Sequence, residues 1–441
     1  MRGIREFVAG AALAALAWFG TLGSAAAQLE SPEPQEVLHG WYQLVLELVR
    51  HTPNYSPPVA SRSFAYMGVA VFEAVASGSD DLVSLSGQLH GLTAVPPREA
   101  GKTYDNGVIV QAVMALSAQN LFSHTGPTGQ RAMAKLEEKL KPAVAAGLPA
   151  DVVARSEAYG QAVARHILEW SQGDGGADVQ NMGFPLDYTL TPGPAHWVPT
   201  STIGQQQVPL LPEWGKNRTF AMPQGASCAL PPPLDYSQDK GSAFYKEALE
   251  VYQVSKTLTP EQTAIARFWS DDPMLSPTPP GHWISIAQQI AERDKLDLER
   301  SVEVLARVGV AVADAFIGCW QAKYQYDLVR PVTYIHRTID PKWETLLITP
   351  PFPEYPSGHS TQSGAAAVVL ANLFGENFAF VDATREGDGL KPRSFPNFWA
   401  AAEEAGMSRL YGGIHYRTAI ERGLAQGRCI GAYTNALKTR K

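Results

Sequence analysis

The sequence predicts an all-α fold, and three observations carry that prediction. Apolar residues recur at helical spacing through most of the chain, no run shows strand-type alternation, and prolines interrupt the periodic segments at their ends. In order, residues 41–50, 60–76, 104–121, 129–140 and 151–170 read as helices, with breaks at Pro53, Pro57-Pro58, Pro96-Pro97 and Pro149. Together they fill a first helical region, residues 28–172. Residues 173–241 change character, with many prolines, glycines and tryptophans; the stretch is too long for an ordinary loop and reads as a functional excursion or an extended linker. A second helical region occupies residues 242–441. Within it Leu305, Val308, Val312, Phe316 and Cys319 recur every three or four residues, the signature of one buried helical face, and four further residues along that face stands Lys323. A lysine there either snorkels at the helix end or meets a buried anion.

Residues 1–27 read as a secretory signal peptide. Arg2 and Arg5 form a basic start, an apolar stretch runs from Phe7 to Leu22, and Ser24-Ala25-Ala26-Ala27-Gln28 supplies small residues for cleavage. The expected location is therefore secreted or periplasmic. Beyond the leader no segment has the roughly 18 uninterrupted apolar residues of a spanning helix, so no integral membrane segment is expected in the mature chain. A chain of 441 residues with 45% hydrophobic content can bury a large core, and a net charge of −7 with a pI near 5.8 gives no reason to expect nucleic acid as a partner. Cys228, Cys319 and Cys429 lack metal-ligand spacing. One pair can bridge in an oxidising compartment, with Cys319 better read as a small core residue.

Chemistry concentrates in the second region. Lys323 and Arg330-Pro331 are followed by Pro356-Ser357-Gly358-His359 and then by Ser408-Arg409 and His415. Three fixed cations and two histidines describe a pocket for a tetrahedral oxyanion, because guanidinium forks match pairs of oxygens. Ser357 offers a hydroxyl and is a plausible N-cap for the alanine-rich run after His359. Gly358 lets the backbone approach, so amides at a helix N-terminus would point at the ligand.

Read as KxxxxxxRP, PSGH and SRxxxxxH in this order, the three pieces resemble the vanadium-dependent haloperoxidases and the related type 2 phosphatidic-acid phosphatases and bacterial acid phosphatases. By motif the resemblance covers residues 268–422. It implies two packed helical bundles with the oxyanion site in the C-terminal one. It implies that Lys323, Arg330, Ser357, Gly358 and Arg409 bind the oxygens of vanadate, with phosphate able to occupy the same site. His415 is implied as the axial group, bonded to vanadium in an oxidase or attacking phosphorus in a phosphatase; His359 is implied as the acid–base group, and Lys323 as a catalytic residue that polarises the bound oxidant. Trp320, Phe352 and Asp272 match supporting positions of the chloroperoxidase branch, Asp272 as an ion-pair partner orienting Arg409.

One departure stands out. Many members carry an aspartate four residues after the second histidine, where this chain has Ala419, and Glu421 would face another way. The loss bears harder on phosphotransfer by His415 than on metal ligation, since a backbone carbonyl or water can fix the tautomer of a ligand histidine. The expected function is a haloperoxidase using hydrogen peroxide, a halide and a small organic acceptor. A secreted acid phosphatase with a histidine nucleophile and a non-catalytic oxyanion-binding protein are the alternatives. His282 and His336 read as ordinary surface or core histidines in preference to residues at the mouth of the site.

Overall fold

The computed structural model describes residues 31–180, 183–201 and 207–441, so the expected leader lies outside the described residues. Helices α1 (Pro34–Arg50), α2 (Pro57–Ala76), α3 (Asn106–Leu121), α4 (Pro127–Ala145) and α5 (Ala150–Gln172) build the first bundle. A short helix α6 (Gly176–Val179) opens the connecting segment. Helices α7 (Ala243–Lys256), α8 (Pro260–Phe268), α9 (Thr278–Arg293), α10 (Leu298–Tyr326), α11 (Pro331–Thr338) and α12 (Gly358–Phe374) follow. A two-stranded hairpin, β1 (Phe380–Asp382) and β2 (Arg393–Phe395), precedes α13 (Phe398–Tyr411) and α14 (Arg417–Asn435). Its strands pair antiparallel, Phe380 opposite Phe395 and Asp382 opposite Arg393.

The all-α prediction holds, and the fourth helix runs past its expected end: α4 continues through Pro142 to Ala145. The expected buried stripe of α10 is also present, but the helix is buried on nearly every face because it is the axle of the molecule. It packs against α2 on one side and against α12 and α14 on the other, so the apolar core runs without interruption from α1 to α14. Glycine permits close helix crossings at two points along this core. A Cβ on Gly309 would stand 3.1 Å from Ala65 Cα, and one on Gly427 would stand 2.1 Å from the Thr361 carbonyl, which seats α14 directly on α12. Helix α2 is long and apolar enough to cross a membrane by composition, yet here it is wholly buried in the core.

The connecting segment behaves as a strap. Trp197, Leu211, Trp214, Phe220 and Met222 are buried. The Asp314 carboxylate of α10 accepts the backbone N–H groups of Phe220, Ala221 and Met222, while Trp320 and Tyr324 both donate to the Leu210 carbonyl. A disulfide between Cys228 and Cys429 fastens the strap to α14, leaving Cys319 as a buried free thiol.

Candidate oxyanion site

Two turns bring the first motif together. Asp327 caps α10 in the left-handed conformation, and Arg330 sits at the N-cap of α11, whose first residue is Pro331. Lys323 Nζ is fully buried and donates to three carbonyls of the loop before α12: Pro353 at 2.8 Å, Glu354 at 3.0 Å and Pro356 at 2.5 Å. All three ammonium protons therefore hold protein, and what Lys323 offers the pocket directly is charge. Burial lowers its pKa to about 7. Phe352 lies between the cations, its ring centroid 5.1 Å from Lys323 Nζ and 5.0 Å from Arg330 Cζ, and packs 4.9 Å from the Trp320 ring.

Arg330 is stretched across the same loop. Its Nε donates to the Phe352 carbonyl at 2.9 Å, and Nη1 donates to the Ile414 carbonyl at 2.9 Å and faces His415 Nε2 at 3.1 Å. His415 precedes α14 and is 3% exposed. On its other edge Nδ1 lies 2.8 Å from Glu354 Oε1, which also accepts the Tyr416 backbone N–H at 2.9 Å. These partners assign the proton to Nδ1 and the lone pair to Nε2. Burial holds His415 well below the usual imidazole range, reinforced by Arg330, Lys323 and Arg409. Burial also pushes Glu354 up, to about 8, against the pull of Arg330.

Ser357 caps α12 as expected, its hydroxyl accepting the Ser360 N–H at 3.3 Å. Gly358 is the first helical residue. A Cβ there would meet Trp320 at an ordinary 3.8 Å, so no protein neighbour demands glycine, and its absence keeps space beside the amide. His359 Nε2 stands between two groups, 3.4 Å from Arg409 Nη1 and 3.5 Å from Asp271 Oδ2. Burial and the charge of Arg409 lower its pKa to about 4, Asp271 opposing.

The aspartate expectation needs correction. Asp272 forms no ion pair with Arg409; Arg409 Nη1 donates to the Trp269 carbonyl, and Asp272 feels the guanidinium only as a more distant charge. The carboxylate turned into the site is Asp271, buried on a backbone at φ 50° with Oδ2 3.5 Å from His359 Nε2. His282 takes the core alternative of its expectation, fully buried between Asp271 and Asp382. His336 bonds to the Trp343 carbonyl, away from this cluster.

Two guanidinium atoms at the centre lack partners. Arg330 Nη2 and Arg409 Nε are buried with no hydrogen-bond acceptor among the described residues. Unmet buried cationic donors are costly, and two of them beside a free helix N-terminus fit an absent oxyanion. Spacing missed Glu354, Asp271, His282 and Asp382. Glu354 did leave a trace, as the lone acid in the proline-rich run 349–358.

The family described as the VCPO second helical-bundle domain matches residues 303–440, which hold every motif of the site. Vanadium chloroperoxidase of Curvularia inaequalis is 31% identical over 197 residues, 37% of this chain; the match spans about a third of that relative, 32% of its length. The holo form of a bacterial vanadium-dependent chloroperoxidase, 15% identical, superimposes with a TM-score of 0.66 over 93% of each chain, which is likeness of fold. A crystal structure titled as the first bacterial vanadium-dependent iodoperoxidase is 40% identical, with a TM-score of 0.84 over 92% of this chain and 97% of that one. Identity at that level over nearly the whole of both chains, with the oxyanion motifs inside the matched domain, places the chain in the vanadium-dependent haloperoxidases.

Proposed function

We propose that the protein holds vanadate at this site and uses hydrogen peroxide to oxidise a halide to a hypohalite-type halogenating species, which passes to a small organic acceptor. The observation that carries the proposal is the pair of buried, unpartnered donors Arg330 Nη2 and Arg409 Nε, next to an imidazole whose Nε2 lone pair is fixed. Arg330, Arg409, the Ser357 hydroxyl and the Gly358 amide would hold the oxygens, and His415 Nε2 would ligate vanadium. Lys323 adds positive charge through the loop it organises. Bound vanadate supplies Lewis-acid activation of peroxide toward halide attack. His359, neutral at rest, is the residue that takes and returns the proton. Trp320 and Phe352 form an apolar wall that limits water there. Iodide is the first halide to assay, given the 40% identity to an iodoperoxidase, with bromide and chloride beside it.

Secretion is part of the same proposal, supported by the leader-like first 27 residues and by the Cys228–Cys429 disulfide, a bond favoured in oxidising compartments.

A second reading, phosphate-monoester hydrolysis, gains from one observation. Glu354 supplies the carboxylate that Ala419 cannot, so His415 Nε2 is also oriented as a nucleophile. The test is paired: anion-free protein receives orthovanadate, peroxide and each halide, and separately a phosphate monoester without vanadate. We expect halide oxidation that saturates with vanadate. Ester turnover through a labelled His415, with no halide oxidation at any vanadate concentration, would transfer the assignment to the phosphatase.

A further inference from the structure

Behind His359 lies a string of charged groups that the proposed reaction does not use. His282, on α9, donates from Nδ1 to Asp271 Oδ1 at 2.9 Å and from Nε2 to Asp382 Oδ2 at 2.8 Å, and all three side chains are fully enclosed. With a carboxylate on each ring nitrogen the imidazole is doubly protonated, because both nitrogens must donate. Its pKa is raised to about 10 by the two aspartates, against burial. Trp269 stacks on the ring at 4.3 Å and Phe268 meets it edge-on at 5.5 Å. Arg385 Nη1 approaches Asp271 Oδ1 at 3.4 Å and is itself tied to Asp388. The other oxygen, Asp271 Oδ2, is buried without a hydrogen bond and stands 3.5 Å from His359 Nε2.

Three separate elements thus converge to hold one acceptor atom in place: the α8–α9 loop, α9 and strand β1, which ends in Asp382. The elements that hold Asp271 also hold Arg409, through the Trp269 carbonyl. We propose that Asp271, His282 and Asp382 form a buried positioning string that fixes a carboxylate oxygen at His359, so that His359 can pass between a neutral state facing Arg409 and a protonated state facing Asp271. His282 and Asp382 are positioning residues, since neither touches the pocket. The imidazolium neutralises much of the Asp271 charge, which keeps Asp271 available as an acceptor without holding a proton on His359 at rest. The inference rests on the reading of His359 as the acid–base group.

Opposite signs make it testable. The groups that set the potential at His359 are Arg409, Asp271 and, through Asp271, His282 and Arg385. In anion-free protein the His359 midpoint is followed by NMR in Asp271→Asn, His282→Gln and Asp382→Asn. Loss of the carboxylate in Asp271→Asn is expected to lower the midpoint by about 1–2 units. His282→Gln leaves Asp271 uncompensated and is expected to raise it. Asp382→Asn preserves shape at the far end of the string, guards against misfolding of the other two, and is expected to lower the midpoint by a smaller amount. In the vanadate-loaded enzyme each change should reduce kcat by about 10-fold or more, with KM for peroxide and vanadate affinity held within about twofold. Shifts of one sign in all three variants, no shifts, or kcat losses that merely follow melting temperature would overturn the string. The NMR arm needs neither vanadate nor halide, so a failed halide assay with opposite shifts would count against the proposed function and not against the string.

Discussion

The two histidines of the site are both served by a carboxylate from a distant segment, yet they are held in different ways. Glu354 grips His415 Nδ1 at 2.8 Å, and the Tyr416 amide fixes the same oxygen, so the imidazole has one tautomer, with its Nε2 lone pair turned toward Arg330. Asp271 stands 3.5 Å from His359 Nε2, in competition with Arg409 at 3.4 Å. The first arrangement suits a ligand, which must not change protonation. The second suits a proton carrier, which must. Exposure follows the same division, at 4% for the His415 side chain and 13% for the His359 side chain.

The sharpest way to break the comparison is to remove each ring. Ordinary hydrogen bonds cannot replace a ligand bond, so His415→Ala should abolish halide oxidation while Arg330 and Arg409 still permit weak oxyanion binding. His359→Ala should keep the anion and lose about 10²–10⁴-fold in rate. Vanadate titration and steady-state rates on both variants check this. Equal losses of anion affinity in the two would deny the division of labour.

The pH profile examines the looser histidine alone. His359 titrates near 4 in the folded protein, against 6.5 for a free imidazole. Between those values the unfolded chain binds the additional proton, so stability rises with pH through this window and is lost as pH falls through it. Turnover needs the neutral ring, and its acid limb is expected near pH 4. Denaturation curves and kcat/KM measured from pH 3.5 to 7 should both lose this feature in His359→Ala. An acid limb unchanged in that variant would assign the titration to another group.

Next in size is the grip on His415. Glu354→Gln keeps the volume, and its amide can present the wrong hydrogen-bonding group to Nδ1. Changes to such supporting partners cost about 10–100-fold in metal affinity or activity. Equilibrium dialysis of vanadate against this variant gives the answer, and unchanged affinity would leave Ile414 and Arg330 as sufficient to set the ring.

How much of this was legible beforehand depends on distance along the chain. Helices, the α10 stripe leading to Lys323, and the Ser357 cap are written in local spacing, and the structure bears them out. The oxyanion motifs were legible because each is short. Glu354 and Asp271 were not, because their partners lie 61 residues away at His415 and 88 at His359, as counted by position. Which of the adjacent Asp271 and Asp272 faces His359 is settled by the fold of the loop around them, with Asp271 at φ 50°, and two neighbouring aspartates do not reveal that. Residues 173–241 read as a functional excursion or an extended linker because their proline and glycine content hides what anchors the described part of the segment: Asp314 gathering three amides, and a disulfide to α14.

The smallest effect is expected outside the pocket, and it tests whether this constellation or general positive charge captures the anion. Arg422 is also near the loop before α12, donating to the Pro231 and Pro232 carbonyls and to the Tyr355 hydroxyl, but its side chain is only half-buried. Arg422→Ala removes hydrogen bonds worth about 1 kcal/mol each and should leave vanadate affinity within about twofold, because solvent reaches this half-buried charge and screens it. Arg409→Ala removes a buried guanidinium whose Nε has no other acceptor, and charge-assisted bonds of this kind are worth about 1.5–3 kcal/mol each. Its vanadate affinity should fall by at least about tenfold, with little change in melting temperature, since truncation also removes an unmet buried donor. Salt separates the two further: added chloride should weaken any contribution from Arg422 and leave that of Arg409 largely intact. Equal affinity losses in the two variants would mean that the field of the whole surface, and not the enclosed fork between Trp269 and His359, binds the oxyanion.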